Sequence, residues 1–326
     1  MIIGRSPLRI SLGGGGTDIP SYYEKYGGFV ISAAIDKYVY VTAIRPFIEG
    51  VYLKYSEIEA TQNVVNVKHP IIREVLKHLN LKTPQIEITT LADIPSGTGL
   101  GSSGSFTTAL IKVLYTHYRR GIQTHDLAEL ACAIEIDMLK EPIGKQDQFI
   151  AAFGGITEFI FNKDGRVEPK SLQLTNNTIH DLEDNLLLFY TGISRSAGVI
   201  LSDQVRKTNR DDKQIIENLH LTKEMGLKSR EALLRGDSKL FGYLMHEHWV
   251  QKRRRSSSIS NSFIDDSYEV GRANGAIGGK LVGAGGGGFL MFYAEDREKL
   301  RNAMDQRGLQ EVRFCFDFEG TKVILS

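Results

Sequence analysis

Two groups of residues in this chain have the types and spacing to do chemistry together: a glycine-serine run, and a few charged side chains distributed around it. Pro95 to Ser105 read PSGTGLGSSGS. Glycine lets the backbone take positive φ and approach a ligand closely. The first N–H groups of a helix have no partner within it and carry partial positive charge. Pro95, Gly97, Gly99, Gly101, Ser102, Ser103 and Gly104 therefore read as a phosphate cradle feeding a helix. A glycine-rich strand-to-helix turn with no ligand would look similar in isolation. The run is not a Walker A motif, because Ser102 follows Gly101 and no lysine is present. Nor is it a GxGxxG fingerprint, since the glycines fall two apart and no acidic ribose partner stands at the expected distance.

The charged candidates each admit a second reading. Glu135 sits beside Ile134 at the edge of an apolar helical stripe, either as an exposed flank residue or as an inward ligand. Asp147, in GKQDQ, could accept a hydroxyl proton or orient the oxygen for attack. It also suits a helix N-cap. Gly13 to Gly16 precede Thr17-Asp18. This is a flexible turn or a place where backbone closes on a ligand, and a carboxylate there can accept two hydrogen bonds from vicinal hydroxyls. Further on, HEHWVQKRRRSSSISN contains a basic run that by itself reads as a solvated face. On a helical wheel, however, Phe241, Leu244, Met245 and His248 form one stripe, and Lys252 falls roughly 20° from Phe241. Arg255 lies roughly 40° to the other side, and Arg254 points away. A lysine centred on an apolar stripe needs an anionic partner, and a sugar phosphate fits. Arg195, in GISRSAG, follows a strand and either reaches a cleft or pairs with a surface acid. His246 and His248 are two apart, which is wrong for a zinc pair on one helix face.

These residues need elements to hold them. Arg9–Leu12, Tyr38–Ile44, Val51–Tyr55 and Ile86–Thr90 read as strands. Phe106, Ala109, Leu110, Val113 and Leu114 mark a helix after the glycine loop. Leu127, Leu130, Ala131, Ile134 and Met138 mark a second, which Pro142 ends. A polar stretch at Asn162 to Asn177 suggests a domain boundary. Helical patterns then run from about Ser196 to Asn261. Two strand pairs close the chain: KLVGAGGGGFLMFY around a glycine hinge, and VRFCFDFEGTKVIL, alternating at Val312, Phe314, Phe316 and Phe318. The mixture argues for α+β domains.

The bulk numbers exclude several classes. The chain has 326 residues, 41% hydrophobic and 24% charged, with 40 basic against 39 acidic side chains. That balance does not suggest a nucleic-acid or membrane binder. Two distant cysteines, Cys132 and Cys315, fit neither a disulfide framework nor a metal site. The opening MIIGRSPLRI lacks the apolar core of a secretory signal, so a cytoplasmic location is expected. A homo-oligomer is compatible with the composition but not readable from it.

Three segments in order, SPLRISLGGGGTD at Ser6 to Asp18, PSGTGLGSS, and KLVGAGGGGFLMF at Lys280 to Phe292, resemble the motifs of the GHMP kinases. The likeness spans almost the full length. It implies the two-domain GHMP kinase fold: a ribosomal-protein-like α/β domain over residues 1–170 and a ferredoxin-like α+β domain over 171–326. It implies ATP on the glycine-serine loop and Mg²⁺ held by Ser103 and Glu135. Asp147 matches the family's aspartate near the acceptor hydroxyl, and Arg9 the basic residue of the first motif. Gly15, Gly16, Thr17 and Asp18 match the sugar contacts. GGGGTD, and the basic residues after HEHW, are similar to the heptose-phosphate kinase branch. This assigns Lys252, Arg253, Arg255 and Arg195 to a sugar phosphate. The implied reaction is phosphorylation of the anomeric hydroxyl of a heptose 7-phosphate to the 1,7-bisphosphate, for nucleotide-activated heptose. An unphosphorylated sugar such as fucose, or a non-catalytic sugar or nucleotide sensor, are the alternatives. The adenine contacts are expected from Val51 to Gln62.

Overall fold

The computed structural model describes residues 1–80, 84–195 and 198–326. β1 (Ile2–Gly13) leads through the glycine turn to α1 (Pro20–Tyr26), and β2 (Gly28–Ile44) returns antiparallel beside β1. β3 (Gly50–Lys54) and β4 (Ile58–Thr61) form a hairpin, α2 (Pro70–His78) follows, and β5 (Gln85–Ala92) runs into the glycine-serine loop. Then come α3 (Ser102–His117), α4 (Thr124–Cys132), α5 (Gln146–Phe153), β6 (Ile156–Phe161) and β7 (Val167–Ser171). The second half holds α6 (Asn176–Asn185), β8 (Leu186–Tyr190), α7 (Gly198–Asn209), α8 (Lys213–Leu234), α9 (Ser238–Arg253) and α10 (Ser262–Ala273). It ends with β9 (Ala276–Leu281), β10 (Phe289–Ala294), α11 (Arg297–Gln306), β11 (Gln310–Glu311) and β12 (Lys322–Leu325). Ser196, where the helical stretch is expected to begin, lies outside the described residues.

Among the described residues there are two sheets. One runs β12-β1-β2-β5-β3-β4, with β6 pairing the first part of β2 and β7 pairing β6. The other runs β11-β8-β10-β9. Period-two alternation on β1 sends Leu8, Ile10 and Leu12 into the core shared with β8, β10, α8 and α9. Arg9 and Ser11 therefore face the opposite side, toward α3 and α5. A separate core lies between that side of the sheet and α2 to α5. Burying each large side chain contributes roughly 1.5–3 kcal/mol, so the shared core clamps the two halves with a cleft between them. No helix among the described residues is long and apolar enough to cross a membrane.

Two expectations change. VRFCFDFEGTKVIL is not a hairpin. β11 pairs with β8 and β12 with β1, so the segment passes from one sheet to the other. Phe314 and Phe316 alternate because they fill the core between the sheets, and Phe316 makes only an isolated bridge to Ile35. The last strand thereby joins the N-terminal sheet. In the helix carrying Glu135, Met138 is expected on the buried stripe but is 47% exposed. After Cys132 the helix widens into a π-helical turn, Ala133–Met138, which breaks the 3.6-residue phase.

Candidate active site

The cleft is a cavity of about 760 Å³ between the halves, within the range of small-ligand sites. Its floor is the glycine-serine loop. Gly101 is the N-cap of α3 with φ 78°, and a Cβ there would stand 3.0 Å from Arg9 Cγ and 3.3 Å from Asp147 Cγ. Only glycine suits both the backbone and the crowding. Ser96, Gly97, Gly99, Gly101, Ser102, Ser103 and Gly104 all line the cavity, whereas Pro95 does not. From the second half, Arg195 N–H donates to Gly97 O at 3.0 Å, and Arg195 also lines the cleft.

Over this loop Arg9 grips Asp147 with two hydrogen bonds of 2.8 Å, Nε to Oδ1 and Nη2 to Oδ2, and donates through Nη1 to Gly99 O at 2.5 Å. Lys145 occupies the N-cap of α5, so Asp147 lies in the first turn and does not cap. A carboxylate at that end is favoured by the helix dipole. Gln146, unnoticed in the sequence though it stands beside Asp147, accepts from Ser11 Oγ at 3.0 Å and donates to Asp147 Oδ1 at 3.1 Å.

The π-helical turn buries Glu135 to 1% exposure while leaving it on the cavity wall. Ser103 Oγ donates to its Oε2, and Gln148 Nε2 donates to Oε1 at 3.0 Å. Burial raises the Glu135 carboxyl above its usual range. Hydrogen bonds from Ser103, Gln148 and Thr107 oppose this, and the charge of Asp147 adds to it.

Of the glycine turn, Gly15, Gly16 and Asp18 line the cleft. Thr17 does not: it is fully buried, its one O–H shared between Gly14 O and Phe29 O, each at 2.9 Å, while it accepts from Phe29 N–H at 3.1 Å. It pins the turn rather than facing a ligand. Asp18 accepts from the N–H groups of Gly16 and Gln146, and burial, then Asp147, raises its carboxyl. Gly144 packs against it so closely that a Cβ would stand 1.9 Å from Asp18 Oδ2. Gly144→Ala should therefore cost about 1–3 kcal/mol of stability, which thermal unfolding checks.

The opposite wall is cationic. Lys252 and Arg255 are buried and line the cleft, as does Lys280, which the sequence reading passed over inside KLVGAGGGG. Lys252 Nζ donates to Leu281 O at 2.9 Å and to Gly283 O. Arg255 donates to Asn218 Oδ1 at 2.6 Å, to Gly15 O at 3.2 Å and to Thr222 Oγ1. Lys280 Nζ donates to Leu12 O at 3.1 Å and approaches His248 Nδ1 at 3.4 Å. Arg253 lies elsewhere, bonded to Asp265 at 3.1 Å and stacked on Trp249. His246 also points away, to Tyr268 Oη at 2.7 Å, whereas His248 lines the cavity. At the far end His69, Pro70, Ile71, Phe106 and Leu139 form an apolar lining. No residue of Val51 to Gln62 reaches the cavity; Tyr55 touches it only through an edge contact with His69.

Sequence comparison fits this geometry. The GHMP kinases N terminal domain matches residues 66–155 and the GHMP kinases C terminal domain residues 229–310. A D-glycero-alpha-D-manno-heptose 7-phosphate kinase from Campylobacter jejuni is 31% identical over 98% of this chain and 97% of its own. The chain is a GHMP kinase. It belongs with the ATP-dependent sugar kinases of that family, which include a Thermococcus kodakarensis galactokinase 26% identical over 89% of this chain and 88% of its own. A D-glycero-D-manno-heptose 1-phosphate kinase from Bacteroides thetaiotaomicron shares the fold, with TM-score 0.82, 24% identity, and 99% and 98% of the two chains covered.

The oxygen set fits the magnesium ion that accompanies ATP in such enzymes. Mg²⁺ prefers oxygen ligands, few of them from protein. A serine hydroxyl and a buried carboxylate stand together at the phosphate loop, and Gln148 Oε1 beside them is buried without a partner. Among the described residues no cluster of three or more His, Cys, Asp or Glu could hold a metal.

Proposed function

We propose that this GHMP kinase transfers the γ-phosphoryl group of ATP to the anomeric hydroxyl of D-glycero-D-manno-heptose 7-phosphate, giving the 1,7-bisphosphate for nucleotide-activated heptose synthesis. The observation that carries the reading is the cationic wall. Among the described residues, no carboxylate stands within ion-pair distance of Lys252, Arg255 or Lys280; the Asp18 charge acts on Arg255, and the charges acting on the two lysines are cations. Buried charges without a counter-charge are costly, and an acceptor bearing its own phosphate supplies one. The resemblance to the Campylobacter jejuni heptose 7-phosphate kinase points the same way.

In this reading the phosphates of ATP lie on the N-terminus of α3, with the base in the apolar end formed by His69, Pro70, Ile71, Phe106 and Leu139. Ser103 and Glu135 would hold Mg²⁺, which neutralises phosphate charge when bound. Arg9 fixes Asp147 and places a permanent positive charge beside the transferring group. Asp147 Oδ1 already accepts from Arg9 and Gln146, whereas Oδ2 accepts from Arg9 alone. Oδ2 is then the oxygen left to accept the hydroxyl hydrogen bond and align the nucleophile. Asp18, held by the backbone, accepts from other sugar hydroxyls.

Turnover of a panel of free and phosphorylated sugars with ATP and Mg²⁺ tests the assignment. The heptose 7-phosphate is expected to give the highest kcat/KM. Faster use of free fucose would reject this substrate and favour a kinase of unphosphorylated sugars.

A further inference from the structure

The cations of the wall are not equivalent. Lys252 already gives two of its three N–H groups to Leu281 O and Gly283 O, where the third motif leaves β9. It therefore works first as a strut for that loop. Lys280 gives one N–H to Leu12 O, and its contact with His248 is long at 3.4 Å. With Lys280 donating to Nδ1, the imidazole proton sits on Nε2, which is buried and has no partner. His248 is 4% exposed and lines the cavity beside Lys280. Arg255 uses three of its five N–H groups. Lys280, His248 and Arg255 line the same cavity and keep donors unspent, a cluster that suits an oxyanion with several acceptor oxygens better than a neutral hydroxyl.

We propose that Lys280, with His248 beside it, is the residue pair that reads the acceptor's remote phosphate. This rests on the substrate class proposed above. The surroundings couple that docking to a proton. Burial, then Arg9 and Arg255, lower Lys280 to about 7 when nothing anionic is present. Burial, Lys280, Arg255 and Lys252 keep His248 neutral. The charged groups that act on the pair are all cations; the nearest carboxylates are engaged by others, Asp147 bonded to Arg9 and Asp18 acting on Arg255. None of them supplies Lys280 with a counter-charge. A phosphate dianion would, and binding above neutral pH then draws a proton from solvent onto Lys280.

Lys280→Met keeps the length of the side chain and removes the charge. The kcat/KM ratio of heptose 7-phosphate over the same sugar without phosphate is expected to fall about 30-fold or more, on the scale of losing one partner of a buried charge pair. ATP KM should hold. Calorimetry of the wild-type protein with heptose 7-phosphate at pH 8, in buffers of different ionisation heat, should show net proton uptake. That measurement does not depend on the variant folding. A variant that keeps the wild-type ratio, or binding without proton uptake, overturns the role of Lys280 and leaves the substrate reading standing. A wild-type enzyme with no preference for the phosphorylated sugar overturns the substrate reading instead.

Discussion

Asp147→Asn is expected to lower kcat by about a hundred- to ten-thousand-fold, the range spanned by positioned acid–base groups, with ATP affinity nearly unchanged. The substitution keeps shape and removes charge. Its amide oxygen can still accept from Arg9 Nε, but the amide NH₂ would meet Arg9 Nη2, where the carboxylate now accepts at 2.8 Å. One hydrogen bond is therefore lost, and Arg9 loses its counter-charge. Arg9 does not drift far, because Nη1 remains on Gly99 O. The phosphate loop keeps its contacts with the second half through Arg195 N–H and Gly97 O, so nucleotide binding should survive. The Asp147 side chain is 29% exposed, so water moderates the cost to folding. Steady-state kinetics with a separate ATP-binding titration check both halves of the expectation. Near-normal turnover would remove Asp147 from the chemistry.

Glu135→Gln should raise the Mg²⁺ concentration needed for half-maximal rate on the order of a hundredfold. Two unit charges about 4 Å apart interact by about 4 kcal/mol at an effective dielectric of about 20, and a divalent ion in contact by more; the carboxylate's own burial cost and the water that replaces it offset most of that. Stability should move the other way. The folded-state carboxyl titrates above its ordinary value of 4.5 because it is buried. Between 4.5 and that raised value, the unfolded chain releases the proton and the folded chain retains it. Wild-type stability therefore declines as pH rises through this window and stays reduced above it. Neutral glutamine carries no such penalty. Without metal, the variant should melt at or above the wild-type temperature at neutral pH, and it should gain less from added Mg²⁺ with ATP. Melting curves with and without Mg²⁺–ATP, together with a Mg²⁺ titration of rate, separate the two effects. An unchanged titration would reject Glu135 as a ligand.

How much of this was legible in the chain depends on the range of the interactions involved. The glycine loop could be found because local backbone demands leave local marks, alternating glycines and a helix start; Asp147 stood in a short polar turn with two readings open, and Arg9 entered only through the resemblance of the first motif. The burial of Lys252 was legible because α9 keeps regular helical phase through Arg253, whereas Arg255 lies in the turn beyond the helix and is buried there by its bonds to Asn218, Thr222 and Gly15. Glu135 was not settled by periodicity, since the π-helical turn shifts the phase in a way that spacing does not reveal. Thr17 sat in the right motif, yet its hydroxyl is satisfied by backbone across the sheet, a partner sequence reading cannot see. Lys280 was hidden for a related reason. A lysine within an apolar strand reads as an interruption until β9 is set against β1 and α9, and only then does it join Arg9, Arg255 and His248. The Phe-rich end of the chain was misread because alternation marks one buried face, whether the strand pairs locally or threads between sheets.

The same distances suggest why the cleft is built across two halves. Arg9, the phosphate loop and Asp147 belong to the first half, whereas Lys252, Lys280 and Arg255 come from the second. Lys280 on Leu12 O and Arg255 on Gly15 O tie the second half to the first motif itself. The wall proposed to read the acceptor's phosphate is thus anchored to the strand and turn that carry Arg9 and Asp18.

Phosphorus NMR of a reaction containing ATP, Mg²⁺ and D-glycero-D-manno-heptose 7-phosphate tests the transfer most directly. A new phosphomonoester resonance coupled to the anomeric proton should grow one for one with ADP, while the original sugar phosphate is retained. Intact ATP under these conditions, or no new sugar ester while free fucose acquires one, would contradict the proposed reaction.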